Sequence, residues 1–62
     1  MAGDSPALAK LRHDLSNPLA ALLAETQLLL LDEARYDAET VQGLKQIEAL
    51  ARKMRHIIQP DA

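Results

Sequence analysis

The chain has 62 residues, a formal net charge of −2 and no cysteine, tryptophan or phenylalanine. That length bounds it to a single domain, 1–62, which alone would bury too little of its surface for comfortable stability. With no cysteine, disulfide staples and thiolate metal sites are excluded, which leaves oligomerisation as the expected remedy. The acidic balance argues against nucleic acid as a main partner, because phosphate binding needs a basic face. No apolar run reaches the roughly 18 residues of a membrane span, so no direct membrane insertion is expected. The expected location is cytoplasmic, which is compatible with a parent protein that is membrane-bound elsewhere.

Ser5-Pro6 reads as a helix start, with serine as N-cap and proline at the first helical position. The first helix is expected over about 5–31. Leu8, Leu11, Leu15, Leu19, Leu22 and Leu29 recur every three or four residues and fall within roughly an 80° arc at 100° per residue, flanked by Leu23 and Leu30. Leu28 and Leu31 point elsewhere, which suggests burial of the helix end on more than one side. The polar stretch of about 32–37 reads as the loop, with Tyr36 covering the bundle end. Asp37 is placed to cap a second helix over about 38–59, with Glu39 suited to the first-turn dipole. That helix carries a heptad-like seam of Val41, Leu44, Ile47, Ala51, Met54 and Ile58, widened by Leu50 and Ile57. Arg52, Lys53 and Arg55 crowd its last turns, where positive charge suits the dipole. Gly43 is an interior cost that a close helix approach would explain.

Two helices with a short connection form an antiparallel hairpin, and one hairpin cannot enclose a core. The expected fold is therefore all-α: a helical hairpin that homodimerises into an antiparallel four-helix bundle through an isologous interface.

One segment departs from this scaffold logic. His13-Asp14-Leu15-Ser16-Asn17-Pro18-Leu19 places a proline inside the leucine pattern, which predicts a kink near Pro18 and removes the amide that would bond the Asp14 carbonyl. His13 lies about 160° from the centre of the apolar arc, on the solvent face. Asn17 is one turn further on and about 40° away, so the two side chains are neighbours. A neutral imidazole is a good nucleophile near neutral pH, and an adjacent carboxylate can orient it or take its proton. Position alone makes an exposed histidine ordinary surface; its conjunction with Asp14, Asn17 and a mid-helix proline points to chemistry. His56, off the apolar stripe near a helix C-terminus, reads as solvated surface.

The run from His13 to Leu22 resembles the H-box of the dimerisation and histidine-phosphotransfer domain of sensor histidine kinases. That pattern is His, an acid, an apolar residue, a variable residue (often Arg), Asn or Thr, Pro, Leu. Ser16 stands at the variable position. The helix–loop–helix pattern extends the likeness over roughly Leu8 to Gln59.

The resemblance implies that His13 accepts the γ-phosphoryl group of ATP and passes it to an aspartate of a response-regulator receiver domain. It implies that Asp14 hydrogen-bonds or deprotonates the imidazole, and that Asn17 positions water if the domain supports dephosphorylation. Pro18 would supply a kink that moves during signalling. The implied partners are a second copy of the chain, the catalytic ATP-binding domain of a parent kinase and the receiver. The sequence holds no Gly-rich phosphate loop. ATP and Mg²⁺ are thus expected to act through a separate catalytic domain, with no cofactor and no metal held here, and the chain alone should not autophosphorylate. Two rival readings share the fold: a non-catalytic helical dimerisation or adaptor module, and a phosphorelay intermediate without its own kinase domain. A small RNA-binding four-helix dimer, a third, is opposed by the acidic balance.

Overall fold

The computed structural model describes residues 5–59. It is an all-α hairpin: helix α1 spans Pro6–Leu30 and helix α2 spans Ala38–Ile58, joined through a single 3-10 turn at Glu33–Arg35. Ser5 caps α1, its hydroxyl accepting from the Leu8 amide at 3.1 Å, with Pro6 opening the helix. Asp37 caps α2 in the same way, accepting from the Thr40 amide at 2.7 Å. Both caps satisfy N–H groups that the first turn would otherwise leave without partners. The connection needs no left-handed residue, since no described residue has a positive φ.

The helices pack along one seam. Leu19, Leu23 and Thr26 of α1 are buried against Ala51 of α2, with Ile58 packed beside them. Ala51 is fully buried (0% exposed), and its methyl side chain lets the helices approach. Thr26 is tolerated there because its hydroxyl donates to the Leu22 carbonyl at 2.7 Å, which satisfies the polar atom inside its own helix.

Two hydrogen bonds mark the register of the pair. Gln27 Nε2 donates to Glu48 Oε2 at 3.3 Å, and Gln59 Nε2 donates to Ser16 Oγ at 2.8 Å. The bonded positions advance by equal steps along α1 and back along α2. By that register Ser16, one turn from His13, stands opposite the last described residue, Gln59.

The seam differs in phase from the expected stripes. The arc centred on Leu15 and Leu22 is not the one that meets α2: both residues are exposed, as are Leu8, Leu11 and Leu29. On α2, Ile47 and Met54 are exposed, while Glu48 is half-buried on the inner side. Within the hairpin Leu28 and Leu31 are also exposed, at 60% and 82%, so the helix end is not enclosed on several sides. One helix can cover only part of a wide leucine stripe, and α2 covers its Leu19–Leu23 edge. A Cβ placed on Gly43 meets nothing within 4 Å, so the packing of α2 on α1 does not itself require glycine there.

Three outcomes follow from this packing. Leu23→Ala should lower unfolding stability by about 3 kcal/mol, as for other buried leucines, whereas Leu28→Ala should cost well under that. Gly43→Ala should raise stability by about 1 kcal/mol by removing glycine's backbone entropy. Urea titrations of the three variants read both effects. The third outcome concerns acid. Hydrogen bonds from Arg52 and Gln27 hold the Glu48 carboxyl below its ordinary value of 4.5. A carboxyl lowered in the folded state stabilises it fully above its unfolded value, and that contribution is lost as pH falls through the folded value. The thermal midpoint should therefore drop below about pH 4.5, and Glu48→Gln should flatten this part of the acid limb.

Candidate phosphoacceptor site

The candidate site begins with the backbone of α1. The helix continues through Pro18 as one element. Proline has no N–H, so the Asp14 carbonyl lacks its helical partner and the ladder is broken one turn past His13. Two residues earlier the opposite occurs. Ser16 Oγ donates to the Arg12 carbonyl at 2.8 Å, in addition to the usual amide bond of the helix. The peptide groups flanking His13 are thus bonded unequally on either side.

His13 presents an imidazole that is 80% exposed. Its Nδ1 lies 3.8 Å from Asp14 Oδ1, beyond hydrogen-bond distance. The nearer partner of Asp14 is Lys10, whose Nζ sits 2.8 Å from Oδ2 one turn back. Asp14 therefore has a cation at hydrogen-bond distance and the Nδ1 edge of the imidazole just beyond it. Asn17 is exposed one turn on from His13, on the same side of the helix. The fold thus gathers His13, Asp14 and Asn17 on an open face beside Pro18. Among the described residues no group of three or more His, Cys, Asp or Glu is placed to hold a metal ion.

Beside this polar face lies an apolar one. Leu15, Pro18, Leu22, Met54 and Ile57 line an open groove of about 300 Å³ between α1 and α2, floored by Leu19 and Ile58. Arg52, Arg55, His56 and Gln59 line a second, polar groove along the last turns of α2. His56 is exposed there, away from the apolar seam.

Sequence reasoning missed Ser16 and Gln59. Ser16 was an unremarkable variable position and Gln59 a helix end; only the register of the hairpin brings them together.

The chain matches the His Kinase A (phospho-acceptor) domain family over residues 7–59. It belongs to that family, whose domains serve histidine kinases, which are transferases, in phosphoacceptor and dimerisation roles. Comparison with curated proteins and with solved structures gave no significant match. Among the described residues no helix is long and apolar enough to cross a membrane.

The break at Pro18 yields a direct test. Pro18→Ala restores an amide to the Asp14 carbonyl and should raise unfolding stability by roughly 1–3 kcal/mol. Circular dichroism melts compare it with the wild type, and an unchanged or lowered midpoint would contradict this account of the turn.

Proposed function

We propose that this chain is the dimerisation and phosphoacceptor domain of a two-component sensor histidine kinase, with His13 as the phosphorylated residue. The observation that carries the reading is the imidazole of His13, 80% exposed and flanked by Asp14 at 3.8 Å, within the span matched to the family.

In the first step Nε2 attacks the γ-phosphorus of ATP, a P–N bond forms, and the P–O bond to ADP breaks. The ring proton leaves to solvent or to Asp14, whose charge also favours the transient cationic ring. In the second step an aspartate oxygen of a receiver domain attacks the phosphorus and the P–N bond breaks, returning a neutral imidazole once a proton is taken up. Asn17, one turn away, is the residue placed to orient a water for dephosphorylation. ATP and Mg²⁺ would be supplied on a separate catalytic domain, because phosphoryl transfer needs metal and positioned phosphate ligands.

Dimerisation belongs to the same reading. Leu11, Leu15 and Leu22 of α1 and Leu50, Met54 and Ile57 of α2 are large apolar side chains between 41% and 66% exposed. An apolar surface of this continuity on so small a domain calls for a partner. A second copy related by a two-fold axis buries it in an antiparallel four-helix bundle. The groove beside Pro18 then becomes part of the bundle interior.

The test supplies the chain with ATP, Mg²⁺ and the catalytic domain of its parent kinase. Wild type should take an acid-labile, base-stable label, and His13→Ala none. Asp14→Asn should slow labelling by about 10²-fold, the scale of general-base assistance. Sedimentation at tens of micromolar should show a dimer. A stable dimer that never takes label from an active catalytic domain favours a non-catalytic adaptor.

A further inference from the structure

Ser16 lies three residues past the phosphoacceptor and faces α2 rather than solvent. Its hydroxyl makes two bonds of 2.8 Å: it donates to the carbonyl of Arg12, the residue preceding His13, and accepts from Nε2 of Gln59. Gln59 is the C-cap of α2, and its own amide bonds back to the Arg55 carbonyl at 2.9 Å. A continuous chain of hydrogen bonds therefore runs from the last turn of α2, through the Gln59 side chain and the Ser16 hydroxyl, to the peptide joining Arg12 to His13. It meets α1 in the turn that Pro18 deprives of a backbone bond, where lateral support has the most effect on how the helix bends.

We propose that Ser16 and Gln59 are a pair of positioning residues for phosphoryl transfer at His13: their hydrogen bond fixes the His13 turn against the end of α2 and so sets the pose in which the imidazole meets a protein-borne phosphoryl donor. The proposal rests on His13 being the phosphoacceptor. It assigns a use to the serine that stands at the variable position of the motif. Neither residue touches the reacting atoms. Their effect is orientation, which matters when the donor is held in one pose and little when it is small and free to tumble.

The experiment uses the 62-residue chain, Ser16→Ala, Gln59→Ala, the double variant and Ser16→Thr, which keeps the hydroxyl. Amide hydrogen exchange is read first. In both single variants the amides of Leu15, Ser16 (or its replacement), Asn17 and Leu19 should exchange about three- to tenfold faster, the scale of one net hydrogen bond, while those of Ile47 to Ala51 stay within twofold. The double variant should be no faster than the faster single one, because the two side chains share one bond, and Ser16→Thr should restore slow exchange.

Two phosphoryl donors are then compared on the same proteins. Phosphoramidate, which transfers its phosphoryl group to imidazole and releases ammonia, should label His13 at rates within twofold throughout. The parent catalytic domain with ATP and Mg²⁺ should label both single variants about three- to tenfold more slowly, again without further loss in the double variant. Unchanged exchange around Ser16, faster exchange spread evenly over both helices, multiplicative effects, or equal slowing with both donors would each overturn the pair. His13→Ala labelled by the catalytic domain with ATP and Mg²⁺ as fast as wild type would instead sink the phosphoacceptor reading, while the exchange data still decide whether the Ser16–Gln59 bond restrains the turn.

Discussion

A hairpin of two helices has a single seam, and that limit governs the rest of this molecule. Among the described residues only Leu19, Leu23, Thr26 and Ala51 are buried, although the chain has far more apolar side chains than one seam can hold. The hydrophobic driving force scales with area removed from water, so the uncovered leucines represent stabilisation that the single chain leaves unused. The molecule is a rod 49 Å long and about 15 Å across, with no depth in which to hide them. The geometry thus leaves a wide apolar face that the hairpin itself does not cover. His13 stays in solvent, its side chain 80% exposed, because it lies off the single face that α2 covers.

Chemistry is written into this scaffold by small departures from helix regularity. Pro18 removes one backbone bond, and Ser16 adds a second bond to a carbonyl one turn earlier. Asp14 is held between Lys10 and the imidazole. The buried contacts of Leu19, Leu23 and Thr26 with Ala51 form alongside them. A helix under no functional demand would have alanine or leucine at Pro18 and lose nothing in packing. Tolerance of the proline is consistent with the general observation that local rules of sequence–structure agreement are broken at functional sites.

Much of this was legible in the residues. Ser5-Pro6 and Asp37 announce their caps because capping is a local effect, decided within one turn. The hairpin follows from two amphipathic stretches and a short polar connection, and His13 declares itself through the motif around it. The phase of the seam was not legible. α1 carries leucines over an arc wider than one partner covers, and sequence periodicity finds the centre of the arc, here near Leu15 and Leu22, not the edge that a particular neighbour selects. Glu48 illustrates the same point: a carboxylate on the inner side breaks the apolar pattern, yet Gln27 and Arg52 satisfy it once the register is set. The Ser16–Gln59 bond depends on that register as well, so nothing local to either residue reveals it.

The connection between the helices has a consequence of its own. It is made through a 3-10 turn with no glycine and no left-handed residue, stitched by Arg35 to Asp32 at 3.3 Å and Lys45 to Glu33 at 3.7 Å. Its backbone places no unusual demand on residue type, so its sequence can drift without strain. From His13 to the end of α1 is roughly 25 Å at 1.5 Å per residue. At such a separation energetic effects are ordinarily additive. The rod therefore has a His13 end and a connecting end that can be altered independently: the path of the chain between its helices can change through substitution at one end while the turn carrying His13 at the other keeps its geometry.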